Sequence, residues 1–322
     1  MVNWKDFDRE QLIIQVAELY YEEKKTQQEI ATIIGKTRPT VSKLLQEALN
    51  KKIVETSINR PFHFDHGLEK QLKETFNLME AKVIIWRNNN YDRLRRYLGI
   101  VGLGIVRNLL HPGMTIGITW GTTLQAIIDA MEENPISNIQ IVQLMGGLGG
   151  QGEAYDALSL VQRFSEKLHA EPYYLNAPYL VESAEMAQSL LGNKSNRKSI
   201  MMGKKCDLAL IGIGKLDPQV STLYLGGHIS LKELEDLQRI DVIGDACGHP
   251  FKSDGKDAAE EFDSRIVGIT RKDLKAIPIR VAVAGGVAKA APILGALLGG
   301  YNNQIITDNV TAEAVLELNK DR

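Results

Sequence analysis

Residues 27–46 read Gln-Gln-Glu-Ile-Ala-Thr-Ile-Ile-Gly-Lys-Thr-Arg-Pro-Thr-Val-Ser-Lys-Leu-Leu-Gln. The spacing predicts two short helices that cross closely. Ala31 puts a small side chain where they touch, and Gly35 supplies a turn that needs positive φ. Ile30, Ile34, Val41 and Leu44 form the apolar face that locks the pair. Thr37 is placed to cap the second helix, with Pro39 in its first turn, where a missing N–H does no harm. The start of that helix then presents Arg38, Thr40, Ser42 and Lys43, residue types that reach base edges and phosphates from the major groove. The plainer alternative is a helical hairpin inside a larger core.

Charge favours the DNA-binding reading. Residues 24–60 hold eight Lys/Arg and three Glu, a net of +5, in a chain of net charge −2. A positive segment on a mildly acidic protein is the footprint of phosphate contact. A helix is expected over residues 8–23, with Leu12, Val16, Leu19 and Tyr20 at helical spacing. The alternating run Lys51-Lys52-Ile53-Val54-Glu55-Thr56-Ser57-Ile58 is read as the wing of a winged helix. Residues 1–60 are thus taken as a DNA-binding domain with duplex operator DNA as partner. Thr37, Arg38, Thr40, Ser42 and Lys43 form its contact surface.

At 322 residues the chain is long enough for two domains, and 44% hydrophobic with 24% charged residues is ordinary globular composition. Two cysteines, Cys206 and Cys247, stand in no metal-like spacing, which argues against a disulfide framework or a zinc site and fits a reducing cytoplasm. No apolar signal core opens the sequence, and no apolar run is long enough to span a bilayer, so no membrane partner is expected. Residues 61–80 are read as a linker helix with Leu68, Leu72 and Phe76 on one face. It either pairs with its twin in a dimer or packs on the large domain.

From residue 82 onward, short apolar runs alternate with helical segments. Strands are predicted at 82–86, 115–120, 139–144, 208–213, 241–243, 266–269, 280–284 and 304–307. Helices are predicted at 91–110, 122–133, 154–168, 184–191, 231–238, 287–298 and 311–318. This alternation means a largely parallel, Rossmann-like α/β sheet covered on both faces, with ligands at the carboxyl ends of its strands. Residues 81–322 are taken as the effector and oligomerisation domain.

Gly117-Ile118-Thr119-Trp120-Gly121-Thr122-Thr123-Leu124 runs from a strand into a helix. Its first-turn N–H groups and two hydroxyls form an anion site suited to phosphate, or else a turn capped by Thr122 with no ligand. Ala282-Val283-Ala284-Gly285-Gly286-Val287-Ala288-Lys289 repeats the layout. Lys289 is expected one turn into the following helix, as a phosphate-neutralising ammonium or as an ordinary surface lysine. Asp245, at a strand end in Gly244-Asp245-Ala246-Cys247-Gly248-His249, is placed to accept hydrogen bonds from sugar hydroxyls. His249 has no partners for a metal site or a triad and is read as structural. Gly147-Leu148-Gly149-Gly150-Gln151-Gly152 fits G-x-G-x-x-G with Glu171 near the acidic spacing, but no helix follows directly. It is read as a flexible loop rimming the pocket. Asp257, Glu260, Glu261 and Asp263 are read as a solvated acidic surface.

In combination, Thr-Arg-Pro-Thr-Val-Ser-Lys-Leu-Leu, Gly-Ile-Thr-Trp-Gly-Thr-Thr, Leu-Met-Gly-Gly, Leu-Ile-Gly-Ile-Gly, Gly-Asp-Ala-Cys-Gly, Ala-Gly-Gly-Val-Ala-Lys and the closing residues 298–312 resemble the SorC-type family of bacterial sugar-responsive transcriptional regulators. The resemblance covers nearly the whole chain, in order. It implies an effector domain with the fold of sugar-phosphate isomerases and glucosamine-phosphate deaminases, a sugar phosphate as effector, no cofactor, and a dimer or tetramer on DNA. By motif match, Gly121, Thr122 and Thr123 would hold phosphate with Lys289 beside them, and Asp245 would face the sugar. Two departures stand out. Trp120 precedes Gly-Thr-Thr where some relatives have glycine. Met145 precedes Gly146-Gly147 and offers no amine for an imine.

Two further readings compete. One is a sugar-phosphate isomerase or deaminase with an accessory DNA module. An enzyme needs a positioned acid/base set, and Lys-Leu-Asp-Pro-Gln after Gly214 lacks the Asp-Gly-His arrangement of the deaminases, so no catalytic residues are expected. The other is a scaffold without effector.

Overall fold

The computed structural model describes residues 4–54, 62–149 and 154–322. The chain divides into two units, Met1–Pro61 and Phe62–Arg322.

Three helices build the first unit: α1 (Trp4–Tyr21), α2 (Gln27–Ile33) and α3 (Arg38–Asn50). Val16, Leu19, Ile30, Ala31, Val41 and Leu44 are buried as the spacing predicts, whereas Leu12, Tyr20 and Ile34 are only partly buried and Ile13 takes a core place the spacing does not assign. Gly35 adopts φ +63° in the turn. The capping residues differ from expectation. Thr26 and Glu29 form a reciprocal capping box on α2, with Thr26 N donating to Glu29 Oε2 at 2.8 Å and Glu29 N donating to Thr26 Oγ1 at 3.3 Å. Thr37 stands at the N-cap of α3 but makes no side-chain cap bond. Its hydroxyl instead pairs with that of Thr40 at 2.9 Å. Arg9 grips Glu47 with two hydrogen bonds, 3.2 and 2.8 Å, tying α1 to α3. Lys51–Val54 form a turn rather than a strand, with Ile53 and Val54 packed on this core. The remainder of the expected wing, 55–58, lies outside the described residues.

The second unit opens with α4 (His66–Phe76) and β1 (Glu80–Ile84), then α5 (Tyr91–Leu109), β2 (Thr115–Ile118), α6 (Thr122–Ala130), β3 (Gln140–Gln143), α7 (Ala157–Leu168) and β4 (Glu171–Tyr173). The helices α8 (Ala184–Gly192) and α9 (Lys194–Gly203) lead into β5 (Leu208–Ile211), β6 (Ile213–Lys215), α10 (Thr222–Leu225) and α11 (Leu231–Arg239). The chain continues through β7 (Val242–Ala246), β8 (His249–Lys252), α12 (Glu260–Ser264), α13 (Arg271–Ala276) and β9 (Ile279–Val283). A 3₁₀ turn (Val287–Lys289), α14 (Ala290–Leu298), β10 (Gln304–Asp308) and α15 (Asn309–Lys320) complete it.

Seven strands form one sheet in the order β1-β10-β9-β5-β2-β3-β4, every pairing parallel. Its central strands carry buried apolar residues on both faces because helices cover both. Ile116, Ile118, Leu208, Leu210, Val281 and Val283 face one core, while Ala209, Ile211, Ala282 and Ala284 face the other. From β2 the chain steps outward through β3 to β4. From β5 it steps the other way through β9 to β10. The order therefore reverses between β2 and β5, and their carboxyl ends open a crevice at that switch point. A small antiparallel sheet, β6-β7-β8, sits beyond β5 and places Asp245 opposite Gly214.

Several expectations are corrected. Residues 266–269 form no strand. Ile266 and Gly268 make single bridges to Leu180 and Met145 along a buried crossing segment. The helix read as a linker lies within the second unit, with Leu68 and Leu72 buried in its core. Asp257 and Asp263 are not merely solvated. Asp257 accepts from Lys275 and Tyr301, and Asp263 from Arg271, whereas Glu260 and Glu261 are exposed.

Candidate functional site

The cleft at the switch point is lined by Thr119–Thr123 from the β2–α6 junction, Gly212–Lys215 after β5, Met145 after β3, Asp245 and Gly248 from the β7–β8 hairpin, and Lys289. It brings together Gly121, Thr122, Thr123, Asp245 and Lys289, segments up to 168 positions apart (289 − 121) in sequence.

Each lining group is placed by its backbone. Gly121 is the N-cap of α6 and has no side chain to cap it, so the first-turn N–H groups are not taken up by a cap. The turn capped by Thr122 does not occur, because Thr122 is itself the first helical residue. Thr123 is buried and Thr122 partly so. Such a helix start carries a partial positive charge at the cleft.

Lys289 is not one turn into a helix. It ends the 3₁₀ turn, immediately before α14, and its ammonium donates to the Ile213 carbonyl at 2.9 Å. That bond holds the side chain across the cleft, partly buried, which is not how a surface lysine behaves. Burial lowers its pKa, opposed by the Asp245 carboxylate. Asp245 is almost fully buried, and burial pushes its pKa up to about 6 against the pull of Lys289, a Gly248 N–H and His249. The cleft thus holds one strongly desolvated acid and one desolvated base, a combination typical of ligand sites.

Trp120 brings an aromatic ring to the lining. Trp120 meets Tyr179 edge-on with ring centroids 6.0 Å apart, and the Tyr179 hydroxyl donates to the Gly248 carbonyl at 2.6 Å. The indole N–H of Trp120 is buried without a hydrogen-bond partner. Beneath the hairpin, His249 is enclosed, its ring nitrogens 2.6 Å from Asp263 and 2.9 Å from the Ile269 carbonyl, as a structural role requires. The glycine loop does not rim the cleft in its described part. Gly147 exchanges backbone hydrogen bonds with Ala177 and Tyr179, and Leu148 donates to Asp156, while 150–153 lie outside the described residues.

Sequence reasoning assigned no role to Gly212, Gly214, Val220 or Thr222. The repeated glycines of Gly212-Ile213-Gly214 were the available signal, because they mark a close backbone approach.

On the first unit, Thr37, Arg38, Ser42 and Lys43 are exposed and Thr40 partly so, Thr37 at the N-cap and the others in the first two turns of α3. This is the face that a second helix of a helix-turn-helix presents to a duplex. Among the described residues, no helix is long and apolar enough to cross a membrane, and no group of three or more metal-ligating side chains is gathered.

Residues 60–317 match the family model described as "Putative sugar-binding domain", and residues 8–51 match that of sigma-70, region 4. The deoxyribonucleoside regulator of Bacillus subtilis (strain 168) is 30% identical over 311 residues, covering 97% of this chain and 99% of its own. The solved full-length sorbitol operon regulator SorC of Klebsiella pneumoniae is 29% identical with a TM-score of 0.71, covering 97% of this chain and 99% of that one. A solved transcriptional regulator from Streptococcus pneumoniae TIGR4 is 28% identical with a TM-score of 0.73, over 79% of this chain and 97% of its own. These relatives are named regulators, not enzymes. With a helix-turn-helix on a sugar-binding α/β domain, and relatives aligned across both, this chain belongs to the SorC-type family of bacterial transcriptional regulators.

Proposed function

We propose that the protein regulates a carbohydrate-metabolism operon and that a phosphorylated sugar in the cleft controls its grip on operator DNA. One observation carries this reading: the uncapped start of α6, the Lys289 ammonium and the buried Asp245 carboxylate line a single cleft. A phosphate there meets first-turn N–H groups, the hydroxyls of Thr122 and Thr123, and Lys289. Lys289 spends one of its three N–H donors on Ile213 and keeps two for a ligand. Asp245 accepts from sugar hydroxyls. The relatives' names, a deoxyribonucleoside regulator and a sorbitol operon regulator, agree with an effector derived from a sugar. The α3 face carrying Arg38 and Lys43 enters the major groove, and a homo-oligomer presents two such faces to two half-sites.

The test is calorimetric titration with a panel of pentose and hexose phosphates and their unphosphorylated sugars, on wild type and Lys289→Ala. A phosphorylated member binds, its sugar does not, and Lys289→Ala weakens binding roughly ten- to hundredfold, with effector-free DNA affinity unchanged. Equal binding by the variant sinks the site. Recovery of the panel unchanged is expected. Turnover at about 1–10³ s⁻¹ would make the protein an enzyme.

A further inference from the structure

Gly285-Gly286, between β9 and the 3₁₀ turn, is a pair of residues with little backbone preference of its own, and Gly286 takes φ +89°. Nothing in these two residues dictates where the following Lys289 points. Yet the Lys289 ammonium has a defined place, 2.9 Å from the Ile213 carbonyl. The constraint comes from Asp308, the last residue of β10 and the N-cap of α15. Its Oδ2 accepts from the Gly286 N–H at 2.8 Å and from the Thr311 hydroxyl at 2.6 Å, while its Oδ1 accepts from the Thr311 N–H at 3.0 Å. The Gly286 carbonyl in turn accepts from the Lys289 N–H at 2.8 Å. Gly286 is therefore held at both its N–H and its carbonyl.

The fit around Asp308 is close. Asp308 and Thr311 are both buried. A Cβ atom on Gly285 would stand 2.6 Å from Asp308 Oδ2 and 2.7 Å from Leu98 Cδ1, and one on Gly286 would stand 3.0 Å from Tyr91 Cε2. The glycine pair is thus clamped between α5, which supplies Tyr91 and Leu98, and the end of β10. The partial positive charge at the start of α15 favours a carboxylate at 308 and keeps it in place. Capping α15 needs only the bonds from Thr311. The bond to Gly286, 22 positions earlier, is additional.

We infer that Asp308 is a positioning residue of the cleft: through Gly286 it fixes the 3₁₀ turn, and so sets where the Lys289 ammonium stands to meet a phosphate. Asp308 does not itself line the cleft. Its importance to effector binding rests on the reading of the cleft proposed above, whereas its placement of Lys289 does not. Asp308→Asn keeps the size of the side chain and can keep the cap, because Asn accepts from a helix N–H as Asp does. Its amide nitrogen then faces the Gly286 N–H, donor against donor, and that one bond is lost.

The experiment uses the full chain. Without effector, lysines are acetylated with acetic anhydride and read by peptide mass spectrometry. Asp308→Asn raises the Lys289 rate at least about fivefold, as loss of one hydrogen bond allows. Lys275, half-buried against Asp257, keeps its rate and reports against general loosening. Thr311→Val lowers the melting temperature through the same carboxylate but leaves Gly286 its acceptor, so the Lys289 rate stays. In wild type, which needs no variant to fold, the Gly286 amide exchanges hydrogen at least about tenfold more slowly than those of exposed Val287 and Ala288. With whichever sugar phosphate the wild type binds, Asp308→Asn weakens binding at least about fivefold. It has no further effect in the Lys289→Ala background, where no ammonium is left to position. A merely structural role would weaken both backgrounds alike. Unchanged Lys289 labelling, equal losses in the two backgrounds, or a Gly286 amide that exchanges as fast as its neighbours would each overturn the inference. A wild type that binds no sugar phosphate would overturn the effector reading alone, since labelling and exchange still decide the placement of Lys289.

Discussion

A Cβ atom added to Gly214 would stand 1.9 Å from Oδ1 of Asp245, so the carboxylate occupies the space that any side chain at 214 requires. Gly214→Ala must move Asp245 or separate β6 from β7. Overpacking of this kind costs about 1–3 kcal/mol. The expected result is a lower melting temperature and at least about tenfold weaker binding of whichever sugar phosphate the wild type takes. Gly104→Ala is the control, since a Cβ there meets nothing within 4 Å. Melting curves and titrations of both variants decide it, and identical behaviour would refute the contact.

Asp245 also makes stability depend on pH. Its folded pKa, about 6, lies above the unfolded value of 3.8. Between these the folded protein binds more protons, so stability falls as pH rises from 4 through 6. Above pH 6 the buried charge costs on the order of 3 kcal/mol. Asp245→Asn removes that charge. It should raise the melting temperature at pH 7.5 and lose the advantage by pH 4. A pH-independent difference would mean that the carboxylate is not desolvated as described.

The two threonine positions of the helix-turn-helix should behave oppositely. Thr26→Ala breaks the capping box and costs about 1 kcal/mol. Thr37→Ala removes no bond to a helix N–H and should cost less than about 0.5 kcal/mol. Hydrogen exchange of the α2 and α3 amides in each variant separates the effects.

On DNA, Arg38→Ala should cost about 1–3 kcal/mol and relax specificity at one base pair if Arg38 reads a base edge. Lys43→Ala should lower the salt slope of binding by about one if Lys43 touches phosphate. Operator titrations across salt concentrations measure both. A wild type whose affinity ignores salt would remove α3 from the interface.

Much of this architecture was legible because burial writes itself into composition. The strand β5 is a continuous apolar run, Leu208–Ile211, and β2, β9 and β10 each carry a short buried apolar stretch, at Ile116–Ile118, Val281–Val283 and Ile305–Ile306. By contrast β4, three residues at the sheet edge with Glu171 and Pro172 exposed, carries no such run. The helix α9 escaped because it buries little, and its exposed lysines break the apolar rhythm. Residues 266–269 misled for the converse reason. They are as apolar as a strand but cross the fold between single bridges. In the cleft, Thr122, Thr123 and Asp245 were visible as residues at strand ends. That Lys289 bonds to Ile213, 76 positions earlier, was not visible, because only the sheet order brings them together.

The outermost position of β1 has a consequence for synthesis. Glu80–Ile84, the first strand made, pairs along its whole length with Gln304–Asp308, the last. A polypeptide emerging from the ribosome can close α1–α3 early, because their contacts are local. The sheet edge must wait for more than two hundred further residues, a slow closure by its sequence separation. A chain stopped before Gln304 would leave β1 and β9 without the strand that joins them, an unfinished sheet open to proteases. On the reading proposed above, any response to a small molecule then has to wait for β10.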